Sequence, residues 1–215
     1  MNPVFIMSLF DGLIATIILS ALTFVCGGLV GAVLALARIS PLQPVRVVTG
    51  AYISFVQGIP LLVLMGLAFF GPSLLGFGHV GALAAATLAM TIYASVYLGE
   101  IWRGSLQAVP KAQWEAAECL GLTRIQRMVR VIAPQATRIA LPPTVGFMVQ
   151  VIKNTSIASL VVGYGELTYN AKLINNATFQ PFVYFGIAGL LYFLACYPLS
   201  ELSRYLERKL DVEHR

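Results

Sequence analysis

From Leu13 to Ala37 no residue carries a formal charge. About 20 apolar residues are enough to cross a bilayer as one helix, so this run alone narrows the fold to one that places a helix in lipid. Composition supports that solvent. The chain is 58% hydrophobic and 11% charged, where soluble domains carry about 25% charged residues. The fold class expected is all-α, a polytopic membrane protein, and the 215 residues form one transmembrane domain, 1–215. The net charge of +5 fits Lys and Arg kept on one side of the membrane. No basic run is interleaved with aromatics, so nucleic acid is not an expected partner. Cys26, Cys119 and Cys196 have neither disulfide-framework nor metal-ligand spacing. Asp11 precedes the first apolar run, which points to a retained helix and not a cleaved leader.

Five spans emerge: Leu13–Ala37, about Ala51–Phe70, Val80–Ile101, Ile139–Val162 and Phe182–Leu202. Gly27 and Gly31 share one face of the first and permit close helix contact. Arg38 to Gly50 reads as a polar connection, and Gly163 to Pro181 as a polar loop. The second span is interrupted at Gly58-Ile59-Pro60. Proline removes a helix hydrogen bond and clashes with the preceding turn. The interruption is either a broken helix lining a cavity or the boundary between an interfacial helix and a span. Placing the segment from Arg103 to Arg138 in the cytoplasm puts every Lys and Arg there except Lys153 and Lys172, of 14 in all. The expectation is therefore N-terminus outside and C-terminus inside.

The segment at about 103–138 is the compact, charged interruption of an otherwise apolar chain. Pro110 suits a first helical turn, and Lys111 to Leu120 is rich in helix formers. Gly121 sits where a left-handed cap would end that helix. Thr123 and Gln126 match a capping box opening a second helix, which Pro134 is expected to limit. Glu115 and Glu118 offer acceptors, Ala116 and Ala117 allow close approach, and Arg124, Arg127 and Arg130 offer forked donors. Two readings remain: a docking element for a soluble partner, or a solvated loop whose arginines meet anionic headgroups.

Glu115-Ala116-Ala117, then Gly121, then Val131-Ile132-Ala133-Pro134 resembles the EAA loop of ATP-binding-cassette importer permeases. Glu100-Ile101-Trp102-Arg103-Gly104, Val109-Pro110-Lys111-Ala112-Gln113, Pro134-Gln135-Ala136, Lys153-Asn154-Thr155-Ser156 and Phe55 to Leu62 are similar to the polar amino-acid branch of that family. Val131 and Ala133 stand where the loop usually has Ile and Leu. Gln57 and Ile59 stand where the branch has Arg and Thr, and Ala112 where it has Gly. The resemblance implies a coupling helix seated on a separate ATPase subunit, with Glu115, Ala116, Ala117, Gly121, Arg124, Arg127 and Pro134 as docking residues. It implies a pair of permeases, identical or similar, two ATPase subunits carrying ATP and Mg, an extracytoplasmic solute-binding protein, and residence in a bacterial inner membrane with lipid around it. This chain would bind no cofactor. Its own sequence agrees, since no lysine follows a glycine as the phosphate-binding loop requires.

Lys153 lies about 21 Å of helical rise past Ile139, in the outer half of its span. Ionisable groups there usually serve function. Lys153, Asn154, Thr155 and Ser156, with Gly58 and Pro60, are the candidate pathway or gate; a polar clasp or a snorkelling lysine is the plain alternative. Glu100 is expected to pair with Arg103, and Glu166 to meet the binding protein from an outer loop. The function read is a permease for polar amino acids, with glutamate, aspartate or glutamine preferred. An intramembrane enzyme would need catalytic groups within spans, yet His79 and His214 lie outside them. The alternative is an ATP-independent channel or secondary transporter, which has no need of a compact docking block.

Overall fold

The computed structural model describes residues 3–212; Arg215 and His214, read above as a cytoplasmic charge and a non-catalytic histidine, lie outside them. Among the described residues every regular element is helical. Among the described residues four helices are long and apolar enough to cross a membrane, or five when a bent pair is taken as one span.

The first, α1 (Pro3–Arg38), shows why lipid and not water is its solvent. Its buried stripe is Gly12, Thr16, Ser20, Thr23, Gly27, Gly31 and Ala35, with Leu9 and Leu19. The large side chains Val25, Leu29, Val33 and Leu36 face outward. A helix in lipid gains little by hiding leucines from its surroundings; it gains by packing backbones closely over small residues. The partner is α4 (Ala82–Ala108). A Cβ on Gly27 would stand 2.8 Å from the Ala94 Cβ, and one on Gly31 would stand 3.0 Å from the Ser95 carbonyl and 3.2 Å from the Gly99 amide. The expected glycine contact is thus present.

The chain between them forms α2 (Gln43–Gln57) and α3 (Leu61–Leu74), which meet at 97°. The interruption is a true break. Gly58 has φ −77°, which any residue adopts, so Pro60 is the cause; its φ of −58° and ψ of 138° start α3 in a new direction. The polar connection expected from Arg38 to Gly50 is a correction: α2 begins at Gln43. Pro44 sits in its first turn, where a missing N–H costs nothing. Arg46 ties the turn by donating from Nη1 to the Ser40 and Pro41 carbonyls at 2.9 and 3.2 Å. Arg38 Nε lies 3.3 Å from Glu100, so the C-terminal ends of α1 and α4 share one side of the molecule. The bent pair must therefore supply the return crossing.

After α4 come α5 (Lys111–Cys119) and α6 (Arg124–Arg127), a π turn at Met128–Ile132, then α7 (Ala133–Asn154) and α8 (Ser156–Val161). Pro134 was expected to end the cytoplasmic helix, and it does not. Its ring would clash with the carbonyl four residues back, at Arg130, but Arg130 lies inside the wider π turn, where Ala133 donates to Met128. The turn opens the spacing that proline needs. The helix therefore continues from Arg124 into the membrane. A second correction concerns Gly163 to Pro181. It contains α9 (Leu167–Thr178), capped by Glu166, before α10 (Pro181–Val212) returns beside α7. Ser203 Oγ donates to the Pro142 carbonyl at 2.8 Å in that contact.

Gly31→Val is expected to force α1 off α4. Overpacking of this kind costs about 1–3 kcal/mol, so the thermal unfolding midpoint of the detergent-solubilised protein should fall. An unchanged midpoint would show that the α1–α4 contact is loose enough to absorb an isopropyl group.

Candidate functional site

The charged block is built by local rules. Helix α5 ends on Gly121, whose φ is +71°. Its amide donates to the Glu118 carbonyl at 2.9 Å and the Leu122 amide to the Ala117 carbonyl at 3.2 Å, the paired bonds of a left-handed glycine cap. Helix α6 then opens on a capping box. The Gln126 amide donates to Thr123 Oγ1 at 3.3 Å and the Thr123 amide to Gln126 Oε1 at 3.0 Å. Arg127 Nη1 lies 2.9 Å from Glu118 Oε2 and joins the two helices. Val109, Ile132 and Ala136 form the small core beneath, with Trp114 and Leu106 packed on it.

The seven docking residues separate into roles. Glu115 and Ala116 are exposed, as are Cys119 and Leu120, the last at 78%. Ala117 is buried and faces inward, so its small side chain lets α5 approach the base and presents nothing to a partner. Arg127 is spent on Glu118. Pro134 is a helix residue past the π turn. Arg124 is exposed, on the side nearest the α1–α2 turn, where it walls a hollow with Ser40 and Pro41. The surface offered outward is therefore Glu115, Ala116, Cys119 and Leu120, ending at Gly121.

A second site lies where α4, α7 and the α2–α3 break meet. Tyr93, Tyr97 and Phe147 form an aromatic ladder. Ring centroids are 4.6 Å apart for the tyrosines, 6.3 Å for Tyr93–Phe147 and 5.7 Å for Tyr97–Phe147. Tyr93 and Phe147 pack on a core cluster that includes Leu61 and Met65 of α3, and Tyr97 on the cluster of Ile53, Val56 and Val96. Below Phe147 on the same face, Gln150 Nε2 donates to Asn154 Oδ1 at 3.2 Å. Sequence reasoning missed the ladder. Tyr93–Tyr97 and Phe147–Gln150–Asn154 each have one-face spacing, but nothing local says that the two faces meet.

The string from Lys153 to Ser156 does not act as one lining. Asn154 is on the aromatic face. Lys153 is exposed, turned toward the α10 side where Cys196 lies. Thr155 is fully buried with its hydroxyl on the Ile152 carbonyl at 2.7 Å, and Ser156 donates to the Lys153 carbonyl at 2.7 Å. Both hydroxyls add to carbonyls that also accept from the Thr155 amide where α7 gives way to α8. Gly58 and Pro60 are exposed at the break.

Two acids hold the ends of the bundle. Glu100 receives Arg38 at 3.3 Å and Arg103 at 2.6 Å, so the expected Arg103 pair exists and reaches a second helix. Glu166 is not the exposed contact that the sequence led us to expect. It is fully buried, accepts from the Thr168 and Tyr169 amides at 2.9 and 2.8 Å, from Tyr192 Oη at 2.5 Å and from Thr16 Oγ1 at 3.5 Å. Burial pushes its carboxyl above the usual carboxylate range, while these donors pull it back. Its work is to fasten α9 and α10 to α1.

A family model described as binding-protein-dependent transport system inner membrane component matches residues 27–212. The chain is 33% identical over 204 residues to the probable glutamine ABC transporter permease protein GlnM of Bacillus subtilis (strain 168), covering 95% of this chain and 94% of that protein. It is 34% identical over 201 residues to the L-cystine transport system permease protein TcyB of the same organism, covering 93% and 85%. Among solved structures, the crystal structure of an amino acid ABC transporter with histidines superposes with a TM-score of 0.87 at 34% identity, over 94% of each chain.

Proposed function

The chain belongs to the family of inner-membrane components of binding-protein-dependent transport systems, and we propose that in it α5 is the coupling helix and the Tyr93–Tyr97–Phe147 face is the amino-acid path. It is a multi-pass permease subunit of an ABC amino-acid importer, a transport component and not itself an ATPase. Our reading adds the working parts. Two ATPase subunits, holding ATP and Mg, seat on Glu115, Ala116 and Leu120. A second permease, identical or similar, completes the path, and a solute-binding protein delivers the solute from outside. The solute is a polar amino acid, with glutamine, glutamate or aspartate first. Gln150 and Asn154 offer amides to its side chain, and Lys153, off the aromatic face on the exposed α10 side, offers a cation to a carboxylate at the outer entrance.

One observation carries the coupling. The helix that begins at the docking turn is the helix that bears the path. Arg124 to Val161 is one apolar rod interrupted only by the π turn and the short break before α8. Phe147 lies about 35 Å along it from Arg124. Closure of the ATPase pair against α5 would tilt that rod as a body and carry Phe147, Gln150 and Asn154 relative to Tyr93 and Tyr97 on α4. Such motion alternates access.

Gly121→Val is expected to strain the turn by about 1–2 kcal/mol, a factor of about five to thirty, and to lower solute-stimulated ATP hydrolysis by that order. Glu115→Lys should do the same by reversing a charge on the docking face. The assay is the complex in lipid, with and without loaded binding protein. Full stimulation and full uptake in both variants would remove α5 as the coupling element.

Lys153→Met is expected to raise the KM for uptake by about tenfold, the worth of one hydrogen bond to a charged group, with the complex intact. Unchanged kinetics for every polar amino acid tried would leave Lys153 a snorkelling side chain.

The arginine-rich end is read as cytoplasmic, with the N-terminus outside, because nearly all basic residues then lie within. A cysteine placed at Gln113 should resist impermeant reagents in intact cells, while one at Asn175 should react. Labelling at Gln113 would reverse the orientation.

A further inference from the structure

An open apolar groove of about 430 Å3 runs between α1, α4 and the first half of α7, walled by Ala35, Leu36, Trp102, Ala136, Thr137 and Leu141 among others. At the arginine-rich end it joins a hollow of about 320 Å3 through Leu36 and Met128, which line both. That hollow is bounded by Ser40, Pro41, Arg124, Ile125 and Val129. No acidic residue walls either space.

The cations at the mouth lack counter-charges. Glu118 is engaged by Arg127, and Glu100 by Arg38 and Arg103. Among the described residues no ion pair holds Arg124 or Arg46. Arg46 nevertheless rests its guanidinium on the carbonyls of Ser40 and Pro41, the same turn that walls the hollow. Beside Arg124, Ile125 and Val129 lie one helical turn apart and stay 77% and 62% exposed. An apolar strip next to arginines, where a span meets its headgroup region, is the chemistry of an interfacial helix.

We propose that this groove holds one anionic phospholipid of the arginine-side leaflet, an acyl chain between α1 and α7 and the phosphate at Arg124 and Arg46. The depth favours lipid over a soluble partner. On α1 its walls Ala35 and Leu36, and on α7 its far walls Ala140, Leu141 and Thr144, lie inside the apolar spans. The mouth favours an anionic headgroup, because a basic pocket between spans on this side attracts one by about 1 kcal/mol per arginine. The lipid would wedge α1 against the root of α7, directly behind the docking turn. It would thus set the resting tilt of the rod that the coupling helix moves.

The test uses the assembled complex in nanodiscs of equal parts phosphatidylcholine and phosphatidylglycerol, followed by native mass spectrometry. Phosphatidylglycerol should be retained over phosphatidylcholine. Arg124→Gln and Arg46→Gln should each weaken that retention about fivefold and leave phosphatidylcholine unchanged. Thr137→Phe fills the groove from an exposed position away from α5. It should abolish retention while the ATPase subunits still co-purify, and a photoreactive phosphatidylglycerol should label the peptide bearing Thr137 and Leu141 only in the unfilled groove. Equal retention of the two lipids would overturn the assignment, as would retention unaltered by Thr137→Phe. Disulfide linkage between two Thr137→Cys copies would also overturn it, since a second copy of the chain would then occupy the groove. Lipid retention is read whichever way the complex faces in the nanodisc, so failure of the orientation reading and failure of this one are distinct results.

Discussion

The close contact of α1 with α4 is the constraint on which the other placements depend. Without a hydrophobic drive between spans, two helices stay together in lipid when small residues let their backbones approach. Gly27, Gly31 and Gly99 do this over a length of several turns. Because the two helices run parallel, the chain must cross back between them, and the α2–α3 pair is the only segment available. Pro60 makes that crossing a broken one. A break exposes backbone groups, which lipid will not tolerate, so it belongs where protein or a polar cavity can meet them. The side of α4 bearing Tyr93 and Tyr97 provides such a place. The glycine contact on one face of α4 therefore positions the aromatic face, the proposed path, on another.

The acids at the two ends convert this contact into a rigid frame. Glu100 binds Arg38 and Arg103 at one end of α1, while Glu166 binds Thr16 and Tyr192 toward the other. Each acid is supported by several donors, which is what lets a carboxylate remain in a dry setting. Glu166 in addition starts α9, so α9, α10 and α1 share one anchor. The rod from Arg124 to Val161 crosses this frame, packed on α4 and α10. The Trp102–Thr144 hydrogen bond of 3.0 Å ties it to α4 and the Ser203–Pro142 bond of 2.8 Å ties it to α10, while an open groove lies between it and α1.

The parts legible in the sequence were those fixed by local chemistry. Gly121, Thr123 and Gln126 each determine hydrogen bonds within a few residues of themselves, and the turn they specify is present. The apolar runs likewise marked the spans. What failed was set by distant partners or by two local rules in competition. Glu166 looked like an exposed loop acid because Thr16 and Tyr192 are about 150 and 26 positions away in the chain. Helix α9 was hidden by its Asn and Thr content, which lowers propensity, whereas its burial against α1 and α10 decides the matter. Pro134 was read by the rule for an α-helix, and the π turn changed the rule. Ala117 and Arg127 were assigned outward because their types suit a docking face; which way each points follows from the core of Val109, Ile132 and Ala136. Membership of the family could be read from residues alone, while the path could not, because the aromatic ladder exists only across α4 and α7.

The π turn also bears on how force would travel. A continuous α-helix with a proline at position 134 would kink there and absorb the motion imposed at α5. The wider turn lets the chain pass proline while the hydrogen-bonded rod continues, Ala133 donating to Met128 in place of Val129. Such turns are uncommon and tend to occur where function requires them. Here the turn sits between α6 and α7, over the core that includes Ile132 and Ala136. It is stiff along the rod, since the bonds are kept, and adjustable in rotation, since the register is loosened by one residue. Rotation of α7 about its own axis by that register would turn Phe147, Gln150 and Asn154 together. Tilt of α7 would change its distance from α4 and rotation would change which of these side chains it presents, so one element next to α5 would supply both motions that the proposed path needs.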